Sequence, residues 1–200
     1  VNYTYQWNYV ISSSAGSVPL PGNDESYFIQ LRDNIYYFFP NSFSDMYYIY
    51  STSREYWMPP LTRPSCKYSL LSPSMVTVSE QFIVVYGGIR ADSGKPKVAI
   101  NYLAIVNETS YTVLHDDVDV RMINPLPPLS GHVMVAIGEL IYVFSGTSGI
   151  IDIDPFAVPY RSFSRQLYII NTTTWTYKDI TISLSHFIIP DRIDFTCVAY

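Results

Sequence analysis

The chain repeats itself, and the repeat limits the folds open to it more than any other feature. Leu140-Ile141-Tyr142-Val143-Phe144-Ser145-Gly146 overlays Phe82-Ile83-Val84-Val85-Tyr86-Gly87-Gly88. Residues Leu167 to Trp175 then overlay Leu103 to Tyr111 with no gap. A weaker copy runs from Asn34-Ile35-Tyr36-Tyr37-Phe38 through Met46–Tyr50 to Trp57. Asn2 to Trp7 resembles the end of an earlier copy, and Phe195 to Tyr200 echoes the beginning of a later one at Val133. The closing aromatics are thus Trp7, Trp57, Tyr111 and Trp175, spaced roughly 50 to 65 residues apart, as expected of a four-stranded unit with long loops. Copies of this kind stack on one another, because no single unit buries its apolar surface alone.

Each copy reads as four short strands. In the clearest copy they fall at 133–137, 140–144, 166–170 and 175–180. Short Val/Ile/Tyr/Phe-rich runs bounded by Gly, Asn and Pro are strand signals, and no stretch shows a helical period. Apolar character fades from the first strand to the fourth. Val-Met-Val-Ala-Ile is apolar on both faces, as a strand buried on both sides is. Trp-Thr-Tyr-Lys-Asp-Ile is mixed, as an outer strand is. A propeller blade produces that gradient, with its first strand at the axis and its fourth at the rim. A β-sandwich is the alternative, but a sandwich has no reason to repeat.

Gly131-His132 before a first strand, the Ile-Tyr-Val-Phe-Ser-Gly strand and the late Trp175 resemble a kelch repeat. Gly87-Gly88 with Tyr111 is the same pattern with Tyr in the Trp position. In the earliest full copy Phe39-Pro40 replaces the glycine pair. The resemblance implies an all-β fold, a segment of a kelch-like β-propeller built of four-stranded antiparallel blades. Residues 1–12 would end one blade. Residues 24–60, 73–115 and 131–182 would form three more, and 193–200 would begin another. Such a segment does not close a ring by itself, so its open edges call for further blades or a second chain.

Packing explains the motif residues. A glycine pair after strand two permits positive φ and close backbone approach. The late Trp offers a large ring to bury between blades. His132 sits at a repeat position and reads as structural.

The chain has a formal net charge of −5, with 14% charged residues and 19 Tyr among its 200 residues. An acidic chain with no basic cluster is unsuited to a phosphate backbone, which excludes nucleic acid as the expected partner. No apolar run nears the roughly 20 residues that cross a bilayer as a helix. Low charge and high Tyr content suit an extracellular or secretory-route β protein; a cytoplasmic substrate receptor is the alternative. The two cysteines, Cys66 and Cys197, lie about three copies apart, too far to expect an internal disulfide.

Asn2, Asn107 and Asn171 each open an Asn-x-Thr triplet. All three fall at the turn between strands three and four, where N-glycans would keep one face of the disc solvated. The loops after strands two and four emerge on the other face and are longer. Long loops on a rigid scaffold are where binding residues sit. Arg63, Arg90, Asp92, Lys95, Asp152, Asp154, Phe156, Tyr160 and Arg161 supply charge and aromatic anchors there. A protein partner is the expected occupant.

Catalytic and cofactor signals are scarce. His115, His132 and His186 lie in different copies, with no metal spacing between them. No Gly-x-Ser-x-Gly elbow occurs. His115-Asp116-Asp117-Val118-Asp119 and Asp152-Ile153-Asp154 lack the calcium-loop pattern. The expectation is a module without catalytic residues, metal or cofactor. The kelch resemblance supplies the rival, the propeller part of a copper radical oxidase resembling galactose oxidase or of another carbohydrate-active enzyme. Its paired His, paired Tyr and Tyr–Cys thioether do not map onto these residues.

Overall fold

The structure, a computed structural model, describes residues 27–38, 46–59, 61–62, 69–71, 73–91, 97–115, 126–149, 162–163 and 166–181. The expectations placed on Trp7, Phe39-Pro40, both cysteines and residues 193–200 lie outside these. Three antiparallel sheets follow one another along the chain. Blade I holds Tyr27–Leu31, Asn34–Phe38, Met46–Ser51 and Tyr56–Trp57. Blade II holds Ser74–Val78, Phe82–Tyr86, Leu103–Val106 and Tyr111–His115. Blade III holds Val133–Ile137, Leu140–Phe144, Leu167–Asn171 and Thr176–Asp179. In each, the strands lie side by side in sequence order. The fold is therefore the all-β, propeller-type arrangement of four-stranded blades that the repeat implies.

The register of each blade follows from its turns. Leu31 faces Asn34 and Ile137 faces Leu140, so Arg32-Asp33 and Gly138-Glu139 are two-residue hairpin connections. Both take a left-handed first residue, with φ of 52° at Arg32 and 58° at Gly138. In blade I the fourth strand is broken. The edge of Met46–Ser51 is shared between Tyr56–Trp57 and Leu61–Thr62. Pro59 stands between them, and a proline offers no N–H to a ladder.

The period-two alternation of each strand sends its side chains into two different seams. Ile83 and Val85 of blade II pack with Leu31, Tyr36, Tyr47 and Ile49 of blade I. Val84 and Tyr86, the residues between, pack with Met134, Ile141 and Val143 of blade III. All four are 3% exposed or less, so this strand is buried on both faces. That is why Phe82–Tyr86 reads as a continuous apolar run and not as an alternation. The outward faces of blades I and III meet no other described blade. They carry the exposed large hydrophobics among the described residues, Phe28 at 61% and Ile137 at 57%. Phe28 is partly sheltered by its stack on Tyr37, with ring centres 4.3 Å apart.

The closing aromatics reach back to the preceding blade in two cases. Trp175 meets Phe82 of blade II at 6.2 Å, and Tyr111 meets Tyr47 of blade I at 5.8 Å. Trp57 instead packs within its own sheet, on Tyr50 and Tyr37. All three are part-buried and not sealed in. The final strand of blade III also begins one residue later than its sequence suggests. Asn171 pairs with Thr176, which leaves Trp175 in the turn with φ of 52°. First strands lie beside one another at the inner side, where the Thr77 hydroxyl of blade II donates to the Gln30 carbonyl of blade I.

Candidate functional site

The loops after strands two and four leave the same end of the blades, and their described stretches include a second β layer. In blade II the chain leaves Tyr86 through Gly87 and Gly88 and enters the strand Ile89–Ala91. That strand pairs with Val98–Ala99 on one side and with Ser69–Leu71 on the other. The result is a three-stranded sheet that joins the loop after strand two to the connection that precedes blade II. In blade III, Thr147–Ser148 pairs with Ser162–Phe163. The two layers touch, since the Ala99 N–H donates to the Gly149 carbonyl at 3.0 Å.

Gly87 shows why this corner needs glycine. Its φ is 65°, and a Cβ there would sit 2.3 Å from the Leu129 carbonyl oxygen and 2.7 Å from His132 Cε1. Backbone leaves no room to shift, so alanine at 87 would force the strand ends apart. Close approach lets the main chain of blade II bond directly to the connection that leads into blade III. Gly88 N–H donates to Leu129 O at 2.7 Å, Leu129 N–H to Ile100 O at 3.3 Å, and Ile100 N–H to Gly88 O at 2.9 Å. In blade III, Ser145 takes the place of Gly87 with φ of 59°, and Gly146 follows at 103°. Ser130 and Thr147 then exchange two backbone hydrogen bonds of 2.9 Å, and their hydroxyls lie 2.9 Å apart. Loops that would otherwise be mobile are thereby held to each other and to two blades.

His132 is a wedge at this junction. It is 5% exposed and meets the Tyr86 ring edge-on at 4.8 Å. Neither ring nitrogen has a hydrogen-bond partner among the described residues. Burial pushes its pKa from 6.5 down to about 3, so the ring is neutral at pH 7. Its enclosed, unpartnered nitrogens suit packing and not proton transfer to a ligand. The Tyr86 hydroxyl donates to the Pro127 carbonyl, and burial raises its pKa well above the usual phenol value.

Of the residues expected to bind, Arg90 lies within this platform, in the strand Ile89–Ala91, opposite Val98 and Leu70. Arg63, Asp92, Lys95, Asp152, Asp154, Phe156, Tyr160 and Arg161 lie outside the described residues. So does Asn2. Asn107 and Asn171 close the turns at the other end of the blades. The Asn107 side-chain carbonyl accepts from the backbone N–H groups of Thr109 and Ser110 at 2.9 and 2.8 Å. The Asn171 carbonyl accepts from those of Thr173 and Thr174 at 2.9 and 3.1 Å. Both therefore act as side-chain-capped turns. No hydrogen bond of either amide nitrogen occurs among the described residues.

Sequence reasoning missed the second β layer. Its strands are two or three residues long, too short to show a period. It also missed the latches on the turn end. There the Ser79 hydroxyl of blade II donates to Glu139 of blade III at 2.9 Å. Within blade III, the Thr172 hydroxyl donates to the Glu139 carbonyl, also at 2.9 Å. Among the described residues no three His, Cys, Asp or Glu side chains gather as a metal site would require. No helix there is long and apolar enough to cross a membrane.

The architecture is similar to that of YjhT, whose solved structure has a kelch-type β-propeller-like fold. The TM-score is 0.56 at 14% identity, over 76% of this chain and 49% of that one. The chain thus spans about half the length of the structure it matches. At this identity the likeness is one of fold alone. No protein-family model and no curated protein matches the chain.

The neutral, buried His132 makes stability depend on pH in a defined direction. An unfolded imidazole titrates near 6.5 and the folded one near 3. Between these values the unfolded state binds the proton and the folded state does not. Its contribution is therefore complete above about pH 6.5 and is lost as pH falls toward 3, at up to about 1.4 kcal/mol per pH unit. Urea unfolding between pH 7 and pH 4 will show the wild type losing more stability than His132→Phe, in which that position no longer titrates. Parallel pH profiles for the two would show that His132 is solvated.

Proposed function

We propose that the chain is a kelch-type propeller module that binds a protein partner through the loop face and carries out no catalysis itself. One observation carries this reading. The loops after strands two and four are stitched into a β layer that two blades hold together, with Ala99 bonded to Gly149 and Ser130 to Thr147. A recognition surface benefits from such order, because little conformational entropy is left to lose on binding. Arg90 within that layer and the charged and aromatic residues of the adjoining loops suit a protein surface. The positive φ values at Gly87, Gly88 and Gly146 support the kelch assignment, since these are the positions that the repeat reserves for glycine.

The compartment proposed is extracellular or along the secretory route. Asn107 and Asn171 support it, as both stand on the turn face with the amide nitrogen uncommitted among the described residues. Glycans there would leave the loop face open to its partner. Made in a secretory host, the protein will carry glycan mass at one or both, and Asn107→Gln with Asn171→Gln will remove it. Unmodified protein would instead favour a cytoplasmic module.

The binding face is tested by cross-linking the protein to partners captured from its native source with an amine-reactive reagent. Lys95 and Lys97 lie in the loop after strand two of blade II, and Lys178 lies on an outer strand of blade III. Cross-links to the partner will run from Lys95 or Lys97 and not from Lys178. Arg90→Glu will weaken capture by about tenfold or more, the effect of losing a central anchor. The exposed Thr174→Arg on the turn face, which keeps the Asn171 triplet intact, will leave it unchanged. Cross-links confined to Lys178, or capture lost with Thr174→Arg and kept with Arg90→Glu, would contradict the assignment.

A further inference from the structure

The turn end of the disc, opposite the loop face, holds a polar cleft between blades I and II. Its volume is about 240 Å³, and its walls include Arg32, Asp33, Ser53, Arg54, Tyr56 and Glu108. The sequence separates these residues widely, and cross-blade bonds bring them together. Arg32 Nε donates to the Glu80 carbonyl at 2.7 Å, and Asn34 Nδ2 donates to Glu108 Oε1 at 3.3 Å. Arg32 Nη1 stands 4.0 Å from Glu108 Oε1. The two turns of blade I are joined as well, since the Thr52 N–H and hydroxyl both donate to the Asp33 carbonyl, at 2.7 and 2.8 Å. The walls are therefore set before any ligand arrives.

The charges of the cleft divide into two sets. Arg32 and Glu108 stand 4.0 Å apart and offset each other's charge. Asp33 and Arg54 are left over, opposite in sign and without an ion-pair partner among the described residues. Arg54 Nη1 donates to the Tyr56 hydroxyl at 3.2 Å, which steers the guanidinium, and no other hydrogen bond of that group occurs among the described residues. Tyr36, close enough to Glu108 and Arg32 to feel both charges, is fully buried, and its hydroxyl has no partner among the described residues. With formal charges summing to zero, the cleft favours neither a phosphate nor a bare cation. Its volume is below the roughly 300 Å³ at which pockets for drug-sized ligands begin, so nucleotides and lipids are too large.

We propose that this cleft binds a compact zwitterion of the α-amino-acid class, with the ligand's ammonium on Asp33 and its carboxylate on Arg54. A planar guanidinium presents paired donors that match a carboxylate, and a carboxylate accepts strongly from an ammonium. Ser53 and Tyr56 offer hydroxyls for the remaining polar atoms. The site lies at the opposite end of the blades from the proposed partner face, so the two readings stand or fall separately.

Calorimetric titration of the intact protein at low ionic strength tests it. The probes are the proteinogenic L-amino acids, each with its N-acetyl and carboxamide derivatives. At least one free amino acid will bind at sub-millimolar concentration. Blocking its amine or its carboxylate will weaken binding about tenfold or more, the worth of one charge-assisted hydrogen bond. The variants will separate the two contacts. Arg54→Gln will abolish the preference over the carboxamide and keep that over the N-acetyl form, and Asp33→Asn will do the reverse. Glu55→Gln, an exposed neighbour outside the cleft, will behave as wild type. No binding by any free amino acid at about 10 mM, or equal binding of free and blocked forms, would overturn the proposal.

Discussion

The interlocking of apolar blade faces is the interaction on which the rest of the structure depends. Neither face of blade II is its own core. Ile83 and Val85 complete the seam with blade I, and Val84 and Tyr86 complete the seam with blade III. A four-stranded sheet standing alone would leave both sets in water. Full burial of one such side chain contributes about 1.5–3 kcal/mol, so no blade is stable apart from its neighbours. Short turns and short strands suffice because the seams, and not the hydrogen-bonded ladders, decide where each sheet lies.

The two ends of the disc use that scaffold differently. At the loop end, Gly87 and Gly146 let main chain approach main chain, and the joints are backbone bonds that depend on the absence of a side chain at those corners. At the turn end, the joints are side chains: Arg32 to Glu80, Asn34 to Glu108 and Ser79 to Glu139. Backbone joints tie the strand ends of the loop face to one another. Side-chain joints leave a polar cleft between the turns of blades I and II. His132 belongs to the first kind, filling the space between two glycine corners. Its neutral ring leaves one N–H without an acceptor among the described residues, a cost of about 1–3 kcal/mol that the surrounding packing must offset.

Much of the fold was legible in the sequence because the seams impose a pattern. Continuous apolar character in Phe82–Tyr86 and Leu140–Phe144, with glycine or serine-glycine after each, marks second strands and their corners. What repeats less closely was harder to place. Trp57 and Trp175 close their copies in the same relative position, yet Trp57 is in a strand and Trp175 in a left-handed turn. The pairing of Asn171 with Thr176 moves the turn by one residue, and composition does not report that shift. The second β layer was illegible because two paired residues make no periodicity. The cleft was illegible because Arg32, Arg54 and Glu108 lie on three separate turns, each unremarkable by itself. Of the expected binding residues, Arg90 alone falls within the described structure.

The seam between blades II and III is tested most directly through Phe82 and Trp175. Their rings stand 6.2 Å apart across it, from copies that the sequence separates by more than ninety residues. A double-mutant cycle, with Phe82→Ala and Trp175→Ala singly and together, measures their coupling in equilibrium unfolding. Interlocked faces predict a coupling of about 0.5–1.5 kcal/mol. Strict additivity, within about 0.3 kcal/mol, would mean that the two residues do not meet and that the blades are not stacked as described.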